Sequence, residues 1–251
     1  MNNYQLVGKV AVISGGTSGI GLAVAEKMLC DGSEVFIVGR SEKRGQAALA
    51  ALNKFASRVT YIQSDVSTLN GCKKVATVLK QNKSKVDILI NSAGIYNEQR
   101  LELVTEAEYN AVMDTNLKGT FFLCQSIIPL LSEENATIIN IASDAALEGN
   151  YGCPIYCASK GAVVALTRAL ALDLAPKVRV NCICPGDVLT PMVQAQVSKG
   201  GYTLQEMAEP YPLGRIGRPE EIAHVICSLS SPLNSYMTGA IINVDGGLTA
   251  K

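Results

Sequence analysis

The chain has 251 residues, 48% of them apolar, and its 22 basic residues balance its 22 acidic ones. This length suits one large core, so we predict a single α/β domain over residues 1–251. A neutral chain without a basic block makes nucleic acid an unexpected partner. With no export signal and no uninterrupted apolar run near about 18 residues, a cytoplasmic protein without a membrane partner is expected.

The eight cysteines and the single histidine, His224, form no recognisable metal motif. Cys153-x3-Cys157 and Cys182-x-Cys184 lack the C-x2-C spacing of structural zinc sites. Without an export signal, the cysteines are interpreted as reduced core thiols. His224 lies in a helical pattern and is interpreted as a packed or half-exposed helix residue, so no metal site is expected.

The first predicted strand, residues 9–14, is an apolar run without alternation, as expected in a parallel sheet buried on both faces. A glycine-rich turn follows directly, and a helical pattern then continues to about residue 32. In this context the backbone can approach a pyrophosphate and the helix amino terminus can face it. An ordinary strand-to-helix turn is the alternative. The candidate phosphate-binding residues are Gly15, Thr17, Ser18, Gly19, Ile20 and Gly21.

The second strand, residues 35–38, is followed by Gly39 and Arg40. In a dinucleotide-binding fold an acidic residue here would bind the adenosine ribose, whereas an arginine suits a 2′-phosphate. Arg40 therefore favours NADP(H), with NAD(H) as the alternative. Arg40 could also be a solvated loop residue.

The remaining elements continue the alternation of strands and helices. Strands are predicted at 59–63, 86–90, 137–142, 178–184 and 240–244, and helices at 42–55, 69–81, 105–131 and 219–229. The third and fourth strands end in Asp65-Val66 and Asn91-Ser-Ala-Gly94. The long helix at 105–131 begins with a Thr105-x-x-Glu108 capping box. It carries Asn116, which needs hydrogen-bond partners if buried and is either structural or part of a proton path.

The stretch from Ser143 to Lys160 holds the candidate chemistry. Tyr156 and Lys160 are four residues apart, so in a helix, which Pro154 predicts to start here, their side chains share one face. The ammonium and the helix amino terminus favour phenolate, which predicts a Tyr156 pKa lowered from about 10 to about 7. Such a tyrosine could exchange a proton with an alcohol or ketone. Ser143, after the fifth strand, could hydrogen-bond the same oxygen.

Two later segments carry broader expectations. A stripe of small residues on the helix after Tyr156 permits close packing, either across a subunit contact or on the sheet. Its members are Ala158, Ala162, Ala165 and Ala169. Residues 190–215, with three prolines and two glycines, are predicted to form an irregular substrate lid.

Taken together, the motifs resemble the short-chain dehydrogenase/reductase family over residues 6–247. They are the glycines at 15, 19 and 21, Asn91-Ser-Ala-Gly94, Asn116, Ser143, Tyr156-x3-Lys160 and Pro185-Gly186. The resemblance implies a Rossmann-type, doubly wound parallel sheet of seven strands flanked by helices. It also implies NAD(P) across the carboxyl ends of the strands and a dimer or tetramer. Two departures, Ser14 for the usual threonine and Ser92 for the usual second asparagine, leave small polar side chains in place.

The resemblance also implies residue roles. Tyr156 would be the general acid/base, Lys160 would lower its pKa and bind the nicotinamide ribose, Ser143 would orient the substrate oxygen, and Asn116 would hold a water in a proton relay. The implied cofactor contacts are Asp65 and Val66 to adenine, Asn91, Ala93 and Gly94 around it and the adjoining ribose, and Val188 and Thr190 to the carboxamide.

The expected reaction is hydride transfer between the nicotinamide and the carbon of a secondary alcohol or ketone. Leu147 and Tyr151 suggest a largely apolar substrate such as a hydroxysteroid or cyclic alcohol, whereas Glu148 and Asn150 would suit a polyol. A 3-oxoacyl-[acyl-carrier-protein] reductase is a further alternative, although acidic residues at 131–135 and 172–173 would oppose an acidic carrier. A catalytically silent nucleotide-binding regulator is the alternative from another class, and the complete catalytic set argues against it.

Overall fold

The computed structural model of the chain describes residues 4–82, 85–199 and 201–250. The strands are β1 (Val10–Ser14), β2 (Glu34–Gly39), β3 (Val59–Gln63), β4 (Ile88–Asn91), β5 (Ala136–Ile141), β6 (Val178–Pro185) and β7 (Ile241–Val244). The helices are α1 (Gly19–Cys30), α2 (Glu42–Ala51), α3 (Leu69–Asn82), α4 (Glu106–Met113), α5 (Gly119–Ile127), α6 (Pro154–Leu174), α7 (Pro191–Ser198), α8 (Leu204–Ala208) and α9 (Pro219–Ser230).

In the part of the chain that the structure describes, the strands form one parallel sheet of seven in the order β3-β2-β1-β4-β5-β6-β7. The predicted doubly wound, Rossmann-type sheet flanked by helices is confirmed. The strand order reverses between β1 and β4. Crossover connections diverge at such a point, and ligands of open parallel sheets bind at the carboxyl ends of the strands there.

The two faces of the sheet bury separate apolar layers. Ala11 and Ile13 of β1 point to the layer formed with α1 and α9, while Val12 between them points to the layer formed with α3 and α5. Side chains alternate along a strand, so a strand covered on both faces must be apolar at every position. This explains why the strands of this chain read as continuous apolar runs.

The predicted helix at 105–131 is wrong as a single straight helix. The Thr105 and Glu108 capping box opens α4 as expected, but Asp114–Lys118 form a π-helical turn before α5 begins. A π turn accommodates one extra residue without ending the helix, and the apolar pattern continues through it. The turn places Asn116 inside the protein, with 1% of its surface exposed.

Residues 190–215 are more regular than predicted. Pro191 opens α7, and Thr203 and Glu206 form a capping box that opens α8. Pro191 occupies a first-turn position, where no backbone N–H is required, so this proline starts a helix instead of preventing one. The irregular conformation expected here is therefore wrong for residues 191–198 and 204–208, and a lid function of the segment stays a prediction.

Helix α6 is the element that carries both Tyr156 and Lys160. Among the described residues it is also the helix long and apolar enough to be a candidate membrane span, although no such run was expected from the sequence. Val163 and Val164 on its inner face pack with Cys182 and Cys184 of β6, so packing in the core accounts for this composition.

The small-residue stripe of α6 lies largely outside that contact. Ala158, Ala165 and Ala169 are exposed and Ala162 is half-buried. The prediction that the stripe packs on the sheet is therefore wrong.

All eight cysteines are free thiols, and six of them are buried. His224 is exposed on α9, where its ring hydrogen-bonds with the Tyr4 hydroxyl at 3.0 Å.

The packing of α2 on the sheet can be tested by substitution of Gly45. A Cβ atom at Gly45 would overlap the ring of Tyr61 on β3, so Gly45→Ala should lower the free energy of unfolding by about 1–3 kcal/mol. Gly161→Ala on α6 is the matched control, because a Cβ there stays 3.9 Å from its nearest neighbour, the carbonyl oxygen of Ala146. It should be neutral or stabilise by up to about 1 kcal/mol. Denaturant unfolding of both variants checks this, and equal effects would contradict it.

Candidate active site

A cleft of about 760 Å³ opens at the carboxyl ends of the strands, across the point where the strand order reverses. The predicted site residues that line it are Gly15, Thr17, Ser18, Gly19, Ile20, Arg40, Asp65, Val66, Ala93, Gly94, Ser143, Tyr156, Lys160, Val188 and Thr190. Three predicted residues, Gly21, Asn91 and Asn116, lie behind this lining and support it. The sheet therefore brings residues from distant parts of the sequence to one edge.

The glycine turn has the close packing that a phosphate cradle requires. Gly15 has a φ of +67°, and a Cβ there would lie 2.8 Å from the backbone nitrogen of Ala93. A Cβ at Gly21 would collide with the carbonyl oxygen of Gly15, so the first turn of α1 packs directly on the loop. Gly19 also has a positive φ and opens α1. This bare backbone at a helix amino terminus fits the pyrophosphate of a dinucleotide.

Ser14 and Asn91 hold the ends of β1 and β4 together beneath the cleft. The Ser14 hydroxyl accepts hydrogen bonds from the backbone N–H groups of Ser92 and Ala93, both at 3.2 Å. The buried Asn91 amide donates to Asn140 Oδ1 at 2.8 Å and to Cys124 Sγ at 3.2 Å. The hydroxyl at position 14 thus positions the loop that borders the cleft, and the Asn91 side chain faces the core.

A second, smaller cavity of about 200 Å³ adjoins the cleft at its β2 end and is lined by Thr17, Arg40, Ser41 and Arg44. Ser41 caps α2 by accepting the backbone N–H of Arg44. Two guanidinium groups and a helix amino terminus make this pocket suited to an anion. Sequence reasoning identified Arg40 but missed Arg44, which lies three residues into α2.

Asn116 is bonded to the loop that follows β4. Its Oδ1 accepts from the Ile95 N–H at 2.9 Å, and its Nδ2 donates to the Ile95 carbonyl at 3.0 Å and to Ser159 Oγ at 3.0 Å. The buried amide therefore has the partners that its burial demands. These contacts give Asn116 a structural role, and its part in a proton path stays a prediction.

Lys160 is buried beneath Tyr156, with 5% of its surface exposed. Its Nζ donates to the carbonyl oxygen of Ile141 at the end of β5, at 2.8 Å, and lies 5.7 Å from the centre of the Tyr156 ring. Burial lowers the pKa of Lys160 to about 8. Because the charged form loses hydration in the interior, the ammonium is held here at a cost to stability.

The protein alone does not lower the pKa of Tyr156, and the sequence-based expectation is wrong on this point. Burial raises the Tyr156 pKa, the carboxylates of Asp144 and Asp187 raise it further, and the Ser143 hydroxyl opposes them. The four-residue spacing correctly predicted that Lys160 lies near Tyr156. The sequence pattern gave no information about the burial of the phenol or about its two acidic neighbours. At neutral pH the Tyr156 phenol is therefore protonated.

Asp144 and Asp187 are two acidic cleft residues that were not predicted from the sequence. The Ser143 hydroxyl donates to Asp144 Oδ1 at 2.5 Å, and the Asp187 N–H donates to the hydroxyl of Tyr211 at 2.7 Å. Burial raises the pKa of both carboxyl groups, that of Asp187 to about 6, and the Asp144 charge adds to the rise at Asp187. Each aspartate directly follows a motif residue, Ser143 or Gly186, which was the available signal.

The opposite wall of the cleft is aromatic. The rings of Tyr96 and Tyr156 pack edge to face with centres 5.0 Å apart. Glu98 accepts hydrogen bonds from the hydroxyls of Tyr96 at 3.4 Å and Tyr202 at 3.2 Å. The loop after β4 is thereby joined to the segment between α7 and α8 across the mouth of the cleft.

The raised pKa of Asp187 predicts a pH-dependent stability. The Asp187 carboxyl group binds its proton more tightly in the folded protein than in the unfolded chain. Its contribution to the free energy of unfolding is therefore fully present below about pH 4 and is lost as the pH rises through about 6. Asp187→Asn should therefore raise the free energy of unfolding relative to the natural chain above pH 6, by up to about 3 kcal/mol. Denaturant unfolding between pH 4 and 8 measures this. Asp173→Asn, which alters an exposed carboxylate, is the control, and parallel pH curves for Asp187→Asn and the natural chain would refute the prediction.

Comparisons with known proteins agree with this architecture. A family model described as enoyl-(acyl carrier protein) reductase matches residues 15–249. The chain is 37% identical over 249 residues to the 3-oxoacyl-[acyl-carrier-protein] reductase FabG of Chlamydia pneumoniae, covering 98% of this chain and 99% of that protein.

Two solved structures superpose closely on the chain. A short-chain dehydrogenase/reductase described as glucose/ribitol dehydrogenase from Brucella melitensis has a TM-score of 0.89 and 35% identity, and 96% of each chain is covered. The Pseudomonas aeruginosa RhlG/NADP active-site complex has a TM-score of 0.92 and 31% identity, and 99% of each chain is covered. With the cleft and its motif residues in place, these matches show that the chain belongs to the short-chain dehydrogenase/reductase family of NAD(P)-dependent oxidoreductases acting on CH–OH groups.

Proposed function

We propose that the chain catalyses reversible hydride transfer between NADP(H) and the carbon of a secondary alcohol or ketone, with Tyr156 exchanging the proton. The observation that carries this proposal is the pair of half-buried Tyr156 and buried Lys160 at the cleft, next to Ser143. A fully exposed tyrosine and lysine four residues apart usually have no chemical role. Here the pair borders a cavity large enough for ligands and stands at the sheet edge where such ligands bind.

Tyr156 acts on the substrate oxygen. Its raised pKa keeps the phenol protonated at neutral pH, so it can donate to the oxygen of a ketone, and the phenolate left behind can later accept the proton of an alcohol. The Lys160 ammonium favours the phenolate at the moment when the proton leaves. The Ser143 hydroxyl, beside the phenol, helps orient the substrate oxygen. When bound, the nicotinamide supplies or accepts the hydride.

The groups that would hold the cofactor follow from the geometry of the cleft. The bare backbone of Gly15, Thr17, Ser18, Gly19 and Ile20, with Gly21 behind it, suits the pyrophosphate. Asp65, Val66, Ala93 and Gly94 would border adenine and its ribose, and Val188 and Thr190 would meet the carboxamide.

Asn91 and Asn116 would act through the loop after β4. We assign them positioning roles, because their amide groups bind core and backbone partners. The proton relay implied for Asn116 by the family resemblance stays a prediction.

Preference for NADP(H) rests on the small pocket with Arg40 and Arg44. Two cations and a helix amino terminus would stabilise a 2′-phosphate, whereas a neutral ribose hydroxyl would leave both guanidinium groups unpaired.

A 3-oxoacyl-[acyl-carrier-protein] reductase is the second candidate, favoured by the name of the FabG relative. An acidic carrier would need a basic docking surface. Near the end of α6, Asp173 is exposed and Leu172 is 82% exposed, and Glu133 and Glu134 are exposed before β5. Like charges at these places disfavour the carrier, so we rank this activity second.

We also propose that the enzyme is a homodimer or homotetramer. On α6 the exposed residues Ala165, Ala169 and Leu172 follow one another at helical spacing and form an apolar face. A second copy of the chain would remove this face from water. The cytoplasmic location expected from the sequence remains a prediction.

The Tyr156 assignment is tested by Tyr156→Phe. Removing the hydroxyl removes the proton donor, so kcat should fall at least about 10²-fold. The Kd for NADPH should change less than about twofold, because the ring is retained. Steady-state kinetics and fluorescence titration of the purified variant measure both. Retained turnover would exclude Tyr156 as the acid/base, and loss of NADPH binding would point to a structural defect.

The cofactor assignment is tested by the double variant Arg40→Ser and Arg44→Ser. Loss of two charged donors should weaken NADPH binding at least about tenfold and leave NADH binding nearly unchanged. Lys43→Ser on the same helix is the matched control, because its side chain lies outside the pocket lining. Equal weakening of both cofactors, or the same effect from Lys43→Ser, would show that the two arginines do not recognise the 2′-phosphate.

A further inference from the structure

The cleft has opposite charge at its two ends. Arg40 and Arg44 make the β2 end positive, whereas carboxylates crowd the end beyond Tyr156. The carboxylates that line this second end are Glu98, Asp144, Glu148, Asp187 and Glu206, beside the cations Lys160 and Lys199. Proton exchange with Tyr156 does not require these carboxylates, so they are available for recognition of the substrate.

Asp144 and Asp187 line the cleft together with Tyr156, and the charges of both act on the Tyr156 phenol. Asp144 is 7% exposed and accepts a hydrogen bond from the Ser143 hydroxyl. A carboxylate oxygen offers more than one acceptor site, so this bond does not exhaust the capacity of Asp144 to accept.

Asp187 is held in place by the loop after α8. The Tyr211 hydroxyl accepts the Asp187 N–H, and the Tyr211 ring fills the space beside Gly186, where a Cβ would lie 2.7 Å from it. Tyr211 is itself buried, which fixes the strand end and Asp187 together. With a pKa of about 6, Asp187 is ionised at neutral pH and acts as a hydrogen-bond acceptor.

Three kinds of substrate would meet these carboxylates differently. An apolar ring system would exclude water and leave the carboxylates without a hydrogen-bond donor, which is unfavourable. An anionic substrate would be repelled at close range. Hydroxyl groups would donate to the carboxylates and form charge-assisted hydrogen bonds. The site therefore selects against the apolar substrate that the sequence suggested.

Resting on the function proposed above, we propose that the substrate is a neutral, polyhydroxylated alcohol or ketone. Its hydroxyl group next to the reacting carbon donates to Asp187, and a further hydroxyl group donates to Asp144. The carboxylates then act as specificity-determining residues, and Tyr211 keeps Asp187 in position.

The test compares cyclohexanol with trans-cyclohexane-1,2-diol, which differ by one hydroxyl group beside the reacting carbon. The full chain saturated with NADP should favour the diol in kcat/KM at least about tenfold. Asp187→Asn should remove most of this preference by raising KM for the diol, whereas the change in kcat that follows from losing a charge beside Tyr156 should be the same for both compounds. Asp173→Asn removes an exposed carboxylate on α6 that does not line the cleft and should keep the preference.

Binding of both compounds to the NADP-saturated protein, measured by calorimetry, separates this inference from the proposed reaction. Tighter binding of the diol that depends on Asp187, without turnover, would support the recognition and count against the reaction. Turnover with equal use of the two compounds, or an equal effect of Asp173→Asn, would overturn the recognition while leaving the reaction intact.

Discussion

The hydrogen bond from the Lys160 ammonium to the Ile141 carbonyl is the interaction on which the site depends. It ties the start of α6 to the end of β5, and it can form only if α6 lies against the sheet with Tyr156 above the strand ends. Burying a charge so deeply is unfavourable, which the lowered pKa of Lys160 records. The surrounding fold must therefore be stable enough to hold it, and the two apolar layers of the sheet provide that stability.

Around this bond the cleft separates two electrostatic tasks. The arginines beside β2 attract an anion, and the carboxylates after β5 and β6 repel one. A ligand with a phosphate at one end and a neutral reacting group at the other would be oriented by this gradient before any close contact forms. The same carboxylates raise the pKa of Tyr156, so recognition of the substrate and control of the proton are linked.

Much of this arrangement could be predicted from the sequence, because the informative signals are local. The glycine turn, the strand runs and the pair Tyr156 and Lys160 each depend on residues close together in the chain. Arg44 was missed because a helix turn, and not a motif, directs it to the pocket of Arg40. Asp144 and Asp187 meet only through the pairing of β5 with β6.

The remaining errors have separate physical causes. The pKa of Tyr156 depends on burial, which no spacing reports. The π turn at 114–118 was hidden because the apolar pattern continues across it, whereas the capping box of Thr203 and Glu206 was a visible signal for α8 that the prolines nearby obscured. Local patterns thus predict where elements and motif residues lie, while electrostatics and helix continuity require the assembled structure.

The amide of Asn116 bonds to both the N–H and the carbonyl of Ile95, as a neighbouring strand would. The side chain therefore makes the pair of backbone hydrogen bonds that a neighbouring strand would make, but to a loop that lies outside the sheet. This pair of hydrogen bonds fixes the register of the loop. A shift of the loop by one residue would break both bonds and turn Tyr96 away from Tyr156. Insertions or deletions between Gly94 and Tyr96 should consequently be poorly tolerated. Changes in length near Arg100, which lies after the residues bonded to Asn116, leave the aromatic wall of the cleft intact.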